Sequence, residues 1–160
     1  MIERLRIAFT VWTLTVTLFG LPQGILAVGS GPAVKPTAPA PAPPDPAEAA
    51  YRTGLRAKEA KRFAEAVPAF QQAVQHRPNF PEAWNELGYA LRQAGRYQDA
   101  LKAYDEALRL RPNFPEAMEY LGEAYVKLGR LDEARALLTR LKTLDPERAR
   151  ELDEAIQAGK

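Results

Sequence analysis

The string RPNFPEA at residues 77–83 recurs letter for letter at residues 111–117, 34 positions further along the chain. An identical heptapeptide at a fixed offset indicates an internal repeat. Within the 34 residues 81–114, apolar residues recur at three- and four-residue intervals in two stretches that are separated by Gly95. That spacing is typical of amphipathic helices, so each unit is predicted to be a pair of helices joined by a tight turn.

Small and cyclic residues in this unit stand where a helix pair needs them. Gly88 and Ala100 are predicted to lie where the two helices approach most closely, at an axial separation of roughly 8–10 Å. Trp84 is predicted to fill the gap at the helix ends, and Gly95 can adopt the positive φ that ends a helix. Prolines favour a first helical turn and oppose helix continuation, so helix starts and stops are predicted at Pro81, Pro112 and Pro115.

The spacing W-x2-L-G-x2-L, then A-x3-Y, then P resembles the tetratricopeptide repeat. The resemblance divides residues 47–148 into three units, 47–80, 81–114 and 115–148, and leaves a capping helix that ends within 149–160. It implies an all-α fold, a right-handed α-solenoid of three helix-turn-helix repeats plus the capping helix. The first unit is weaker, because smaller residues replace larger packing residues at Ala50, Thr53 and Ala57.

Pro68 lies inside the predicted second helix of the first unit. A proline there removes one backbone hydrogen bond and its ring clashes with the preceding turn, at a cost of about 3 kcal/mol. The sequence therefore predicts a bend or a late start of this helix.

Composition argues against several classes of function. The net charge is only +2 and is mixed along the chain, whereas a nucleic-acid site needs clustered lysine and arginine. The chain has no cysteine, one histidine (His76) and one serine (Ser30), so it has no serine–histidine triad, thiolate metal site or cluster with metal-ligand spacing. We therefore expect no enzymatic activity, no cofactor and no metal. His76 is predicted to favour the helix dipole at a helix C-terminus.

Residues 1–27 have the pattern of a targeting segment. Arg4 and Arg6 precede fifteen mostly apolar, uncharged residues (7–21), and small residues follow up to Ser30. This pattern predicts a secretory signal peptide that is cleaved after Ala27 or Gly29. The alternative is an uncleaved membrane anchor over residues 7–28. Both predict that the repeats are exported, to a periplasmic or extracellular location, and both confine any membrane contact to this segment.

Residues 28–46 are rich in proline and alanine, with seven prolines between Gly29 and Pro46. Such a segment is predicted to be an extended polyproline II spacer. The interpretation that it is a plain tether is favoured over a docking site for a polyproline-binding partner. Asp45-Pro46 has the composition of a helix start, so the repeat domain is predicted to begin there.

The resemblance implies a concave groove, formed by the first helix of each repeat, that holds a partner segment. Matched position by position, the groove presents Tyr51, Arg52, Leu55, Lys58 and Glu59, then Glu82, Asn85, Glu86, Tyr89 and Arg92, and then Glu116, Glu119, Tyr120, Glu123 and Lys127. The tyrosines are predicted to anchor a partner, because aromatic residues dominate binding hot spots. The alternative is that they pack between repeats, and Tyr104 and Tyr125 are predicted to do so.

The same alignment predicts the chemistry of the partner. Chaperone-binding members use a basic and amide clamp, and none of the corresponding residues here matches it (Tyr51, Leu55, Glu86, Glu116 and Tyr120). Five glutamates of the second and third units face only Arg92 and Lys127, so the groove is predicted to be negative and to bind a protein or peptide with basic and apolar residues. The alternative function is a structural module whose arrays stack into homo-oligomers through the end face of the first unit, at Ala50, Thr53 and Ala57.

Overall fold

The computed structural model describes residues 45–159, so the predicted targeting segment and nearly all of the proline-rich linker lie outside the described residues. Over 45–159 the secondary structure is seven α-helices with no strand. This confirms the prediction of an all-α fold. The helices are α1 (Pro46–Glu59), α2 (Phe63–His76), α3 (Pro81–Gln93), α4 (Tyr97–Leu110), α5 (Pro115–Lys127), α6 (Leu131–Leu144) and α7 (Pro146–Ala158).

The helices stack as consecutive pairs. Helix α1 packs against α2, α3 against α4 and α5 against α6, and each second helix also packs against the first helix of the next pair. The first helices contact one another in the series α1, α3, α5 and α7. Since each pair contacts only its neighbours, the described domain is an α-solenoid.

Within a repeat, an aromatic ring of the second helix lies against a glycine of the first. Phe70 and Tyr104 are fully buried, and a Cβ atom added to Gly54 or Gly88 would lie within 2.6 Å of the facing ring. The glycines therefore allow the close helix crossing that the sequence predicts at Gly88.

The helix ends follow local chemistry. The Asp45 carboxylate accepts a hydrogen bond from the Ala47 backbone N–H at 2.8 Å, which caps α1 as predicted. Gly95 and Gly129 adopt φ values of 77° and 73° in the turns between paired helices, and the equivalent residue of the first repeat is Lys61, with φ 57°. The first repeat therefore makes the same left-handed turn with a residue that has a Cβ atom.

Two predictions about the packing, those for Pro68 and Ala57, differ from the structure. Helix α2 begins at Phe63, 34 residues before the start of α4 at Tyr97, so Pro68 does not delay it. Trp84 packs against both hydrophobic clusters of the core and stays partly exposed, where its indole Nε1 donates a hydrogen bond to the Pro78 carbonyl at 2.9 Å. Ala57, predicted on an exposed end face, is buried in the core.

The C-terminal end departs from the 34-residue period. Helix α7 begins at Pro146, directly after Asp145, which ends α6 and caps α7 through its carboxylate. The last residues of the third 34-residue unit therefore lie inside α7. A Cβ atom added to Gly122 would meet Leu152 of α7 at 2.6 Å, so α7 occupies the place that an aromatic ring of the second helix has in the first two repeats.

Candidate functional site

The first helices α1, α3, α5 and α7 together form one surface, which we call the first-helix face. Three half-buried tyrosines lie on it, one from each repeat: Tyr51, Tyr89 and Tyr120. The rings of Tyr89 and Tyr120 are 5.3 Å apart between centroids, and Tyr51 packs on Phe80 at 4.8 Å. The tyrosines therefore pack between repeats and also keep part of their surface open to solvent.

The predicted groove residues fall into two groups. Three are exposed, Arg52, Glu59 and Lys127, and a further nine are partly exposed: Tyr51, Leu55, Lys58, Glu82, Tyr89, Arg92, Glu116, Tyr120 and Glu123. The other three are buried, with exposed fractions of 1% for Asn85, 8% for Glu86 and 4% for Glu119. The buried three can shape the face but offer little surface to a partner.

Ion pairs join each first helix to its neighbour. Lys58 Nζ of α1 lies 2.7 Å from Glu86 Oε2 of α3, and Arg92 of α3 lies 2.7 Å from Glu123 Oε2 of α5. The series continues with a close contact between Arg148 of α7 and Glu119 of α5.

These pairs change the predicted electrostatics. The prediction of a negative groove set only two cations, Arg92 and Lys127, against five glutamates. In the structure four of the five glutamates are in ion pairs. Glu82 pairs with Arg111, Glu86 with Lys58, Glu119 with Arg148 and Glu123 with Arg92. The prediction missed Arg111, which directly follows α4, and Arg148 of α7, because each lies 29 residues from its partner in sequence. Glu116 is the one of the five for which no cation lies within 4 Å in the part of the chain that is described.

Arg92 is the centre of the contacts on this face. Its side chain is 13% exposed, and its guanidinium lies 5.4 Å from the Tyr89 ring centroid and 5.3 Å from that of Tyr120. It also interacts with the buried Tyr104, whose pKa is raised by burial and lowered to a smaller extent by Arg92. Arg92 therefore links the second and third repeats through charge and cation–π contacts.

Acidic and basic side chains, paired or not, lie at opposite ends of the first helices. The first turns of α1, α3, α5 and α7 carry Glu48, Glu82, Glu116 and Glu147, whereas the last turns of α1, α3 and α5 carry Lys58, Arg92 and Lys127. This placement favours the helix dipoles and gives the face an acidic edge and a basic edge. Near the acidic edge, burial and then the charges of Glu86, Glu82, Glu116 and Glu48 raise the pKa of Tyr51 to about 12.

A cavity of about 210 Å³ lies at the basic edge, toward the C-terminus. Residues of α3, α5 and α7 line it, together with Gly159: Arg92, Glu123, Val126, Lys127, Ala155 and Ala158. The position of α7 therefore decides the shape of this end of the face.

Residues 45–159 contain no cluster of three or more side chains suited to a metal ion, and none of their helices is both long and apolar enough to cross a bilayer. His76 is the last residue of α2 and is exposed, as predicted for a residue at a helix C-terminus.

This geometry defines the class of protein. It is a helical repeat protein, an α-solenoid of paired helices with acidic and basic edges on one face. Two family models, both described as tetratricopeptide repeat, match the chain, one over residues 51–115 and the other over residues 91–158. Together they span residues 51–158, which is more than half of the chain. The chain therefore belongs to the tetratricopeptide repeat family. No curated protein matches the sequence.

Solved structures share this fold. The TPR2B domain of yeast Sti1, in complex with pHsp70, is similar with a TM-score of 0.66 and 22% identity, over 71% of this chain and 94% of that chain. The first TPR of Spaghetti (RPAP3), bound to the HSP90 peptide SRMEEVD, has a TM-score of 0.65 and 22% identity, over 71% of this chain and 92% of that chain. A mutant form of MamA reaches 28% identity with a TM-score of 0.57, over 68% of this chain and 74% of that chain.

Proposed function

We propose that this protein is a non-catalytic adaptor that binds a protein or peptide segment across the first-helix face. The observation that carries the proposal is the row of partly exposed tyrosines, Tyr51, Tyr89 and Tyr120, held in place by ion pairs between repeats. Tyrosine offers a large contact area at low entropic cost, so pre-positioned tyrosines suit a binding surface. The tetratricopeptide domains of Sti1 and RPAP3, which were solved with pHsp70 and an HSP90 peptide, support a peptide ligand by analogy.

The ligand is a segment with apolar and basic residues. The apolar residues contact the tyrosines, and a lysine or arginine pairs with Glu116, which forms no ion pair within 4 Å in the described domain. The negative charges around Tyr51 also favour a cation at that end of the face. The acidic peptide of the RPAP3 complex is a poor ligand, because Tyr51, Leu55, Glu86, Glu116 and Tyr120 occupy the clamp positions.

Binding to a library of fluorescent peptides tests the chemistry of the ligand. Selected peptides should contain lysine or arginine beside aromatic or aliphatic residues, and Tyr89→Ala and Glu116→Lys should each weaken their binding about tenfold or more. Tyr97→Ala at the start of α4 and Glu65→Lys on α2 are matched controls off the first-helix face and should bind as the wild type does. Binders that are predominantly acidic, or equal losses in the controls, would overturn the proposal.

Self-association is the alternative outcome. Leu144 is the one large hydrophobic residue that is exposed among residues 45–159, and the end face at Ala50, Thr53 and Ala57 is small, with Ala57 buried. We therefore expect light scattering to give a mass that does not depend on protein concentration. A mass that rises with concentration and falls in a Leu144→Ser variant would support the structural module instead.

The proposed location is outside the cytoplasm, with residues 1–27 as a cleaved signal peptide or residues 7–28 as an uncleaved anchor, and with the linker of residues 28–46 as a tether. The basis is the sequence pattern of a positive start, an apolar stretch and small residues. A fusion of residues 1–46 to alkaline phosphatase, which is active only after export, should give activity in a bacterial host. We expect Leu18→Arg to abolish the phosphatase activity of the fusion and Thr37→Arg to leave it unchanged. A fusion protein that stays in the cytoplasm and shows no phosphatase activity would refute the proposed location.

A further inference from the structure

The contact between α5 and α7 contains a carboxylate that is almost out of reach of water. Glu119 of α5 is 4% exposed, and its ion-pair partner is Arg148 of α7. Arg148 also lies 3.5 Å from Asp145, the residue that caps α7. Arg148 therefore pairs with a buried carboxylate of α5 and also contacts the residue that caps α7.

A second carboxylate reaches the same place from α7. Glu151, which is exposed and one turn after Arg148, lines the same surface cavity as Arg148, and its interaction with Glu119 raises the pKa of that carboxyl. Two neighbouring carboxylates repel each other when both are ionised, whereas protonation of one of them removes the repulsion. With a single arginine, the cluster of Glu119, Arg148 and Glu151 is neutral when it holds that proton.

The charged groups around the cluster are mainly negative, which favours the form that holds the proton. On α5, Glu116 and Tyr120 interact with Arg148, and Glu123 is committed to Arg92 of α3. On α7, Glu147 lines the same surface cavity as Asp145, Arg148 and Glu151, which adds negative charge. From α6, Lys142 lies in a separate cavity, beside Arg150 and Asp153.

We propose that the cluster of Glu119, Arg148 and Glu151 is a proton-dependent clamp that fastens α7 to α5 and so sets the C-terminal end of the first-helix face. Helix α7 provides Ala155 and Ala158 to the cavity that Arg92 and Lys127 line on the other side. A change in the docking of α7 therefore changes a surface next to Tyr120. The clamp does not depend on the proposed partner, since it acts within the chain.

The direction of the effect follows from the pKa. Burial, together with Glu151, raises the pKa of Glu119 from 4.5 to about 7, although Arg148 opposes the increase. The docked state thus binds the proton more tightly than the undocked state. The added stability is complete below the ordinary pKa and is lost as pH rises through the raised value, so α7 is held more tightly at mildly acidic pH.

Hydrogen exchange of the full chain, read by mass spectrometry at about pH 6 and about pH 8.5 and corrected for intrinsic exchange, tests the clamp. For a pKa that rises from 4.5 to about 7, protection of α7 amides should be about tenfold higher at the lower pH. Because exchange is read for the amides of α7, it reports on Glu119 and not on Glu86. The pKa of Glu86 is also raised by burial, but Glu86 lies on α3 and pairs with Lys58 of α1.

Glu151→Gln should reduce the pH dependence of α7 protection severalfold, because it removes the second negative charge. Glu151 is exposed, so this variant should keep the fold. Glu154→Gln, also exposed on α7, is the matched control and should retain the tenfold ratio. The proposal is overturned if α7 protection is the same at both pH values, or if Glu151→Gln leaves the ratio unchanged.

Discussion

Gly88 of α3 lies directly against the ring of Tyr104 in α4, and a Cβ atom at Gly88 would come within 2.6 Å of that ring. The ring is fully buried, so it has no free space into which to move. Gly88→Ala gains about 1 kcal/mol of helix propensity, but a Cβ atom this close to a confined ring overpacks the core by about 2–3 kcal/mol, the upper part of the usual range. We expect a net loss of about 1–2 kcal/mol in the free energy of unfolding, measured in urea.

Gly122→Ala is the matched comparison, because the atoms that it would meet are the methyl ends of the flexible Leu152 side chain. Gly122→Ala should lower the free energy of unfolding by less than Gly88→Ala does. Equal stability of Gly88→Ala and the wild type would show that the close crossing is not constrained.

Lys61→Gly should raise stability. Lys61 has φ 57° in the turn where the other two repeats have Gly95 and Gly129, and a left-handed conformation costs a residue with a Cβ atom about 1–2 kcal/mol. After the greater chain entropy of glycine is subtracted, we expect a gain of about 0.5–1 kcal/mol in thermal or urea unfolding. Lys61→Ala removes the same side chain and keeps the Cβ atom, so a gain of equal size in that variant would contradict the explanation.

Arg92→Gln should lower stability by about 2 kcal/mol, since it leaves Glu123 without its cation and removes the contacts with Tyr89 and Tyr120. The comparison is Arg109→Gln, which breaks the exposed pair with Glu106 at 2.8 Å and should cost less than about 0.5 kcal/mol. Similar losses in the two variants would argue against Arg92 as the link between repeats.

Pro68→Ala should stabilise α2. Pro68 is on the exposed side of a helix that runs without interruption from Phe63 to His76, so its missing N–H and its ring are not compensated by packing. The expected gain is up to about 3 kcal/mol, seen as a higher midpoint of thermal unfolding. A lower midpoint would mean that the proline ring makes contacts that outweigh the lost hydrogen bond.

Much of the fold could be predicted from local patterns. The repeated string at residues 77–83 and 111–117, the three- and four-residue spacing and the positions of Pro81, Gly95 and Pro115 act within one or two helical turns. The structure confirms the all-α fold, the positive φ of Gly95 and the cap at Asp45. Such features are local, because backbone geometry and the polar or apolar side of a helix depend on near neighbours in the chain.

The electrostatics of the site could not be predicted in the same way. The sequence indicated which residues belong to the first helices, but it could not show that Arg111 and Arg148 reach back to Glu82 and Glu119. Nor could it show that Asn85, Glu86 and Glu119 are buried while the three tyrosines keep exposed surface. Neutralisation of a charge and loss of its water both depend on groups brought together from different repeats.

For this protein, then, the sequence alone determined the helices, their turns and the 34-residue period. Tertiary structure decided which side chains of the first-helix face remain accessible, which charges are paired, and that α7 docks against Gly122 through Leu152. The physical reason is range: hydrogen bonds and periodicity act along a few residues of chain, whereas burial and charge pairing are set by distances between helices that lie about 29 residues apart in sequence.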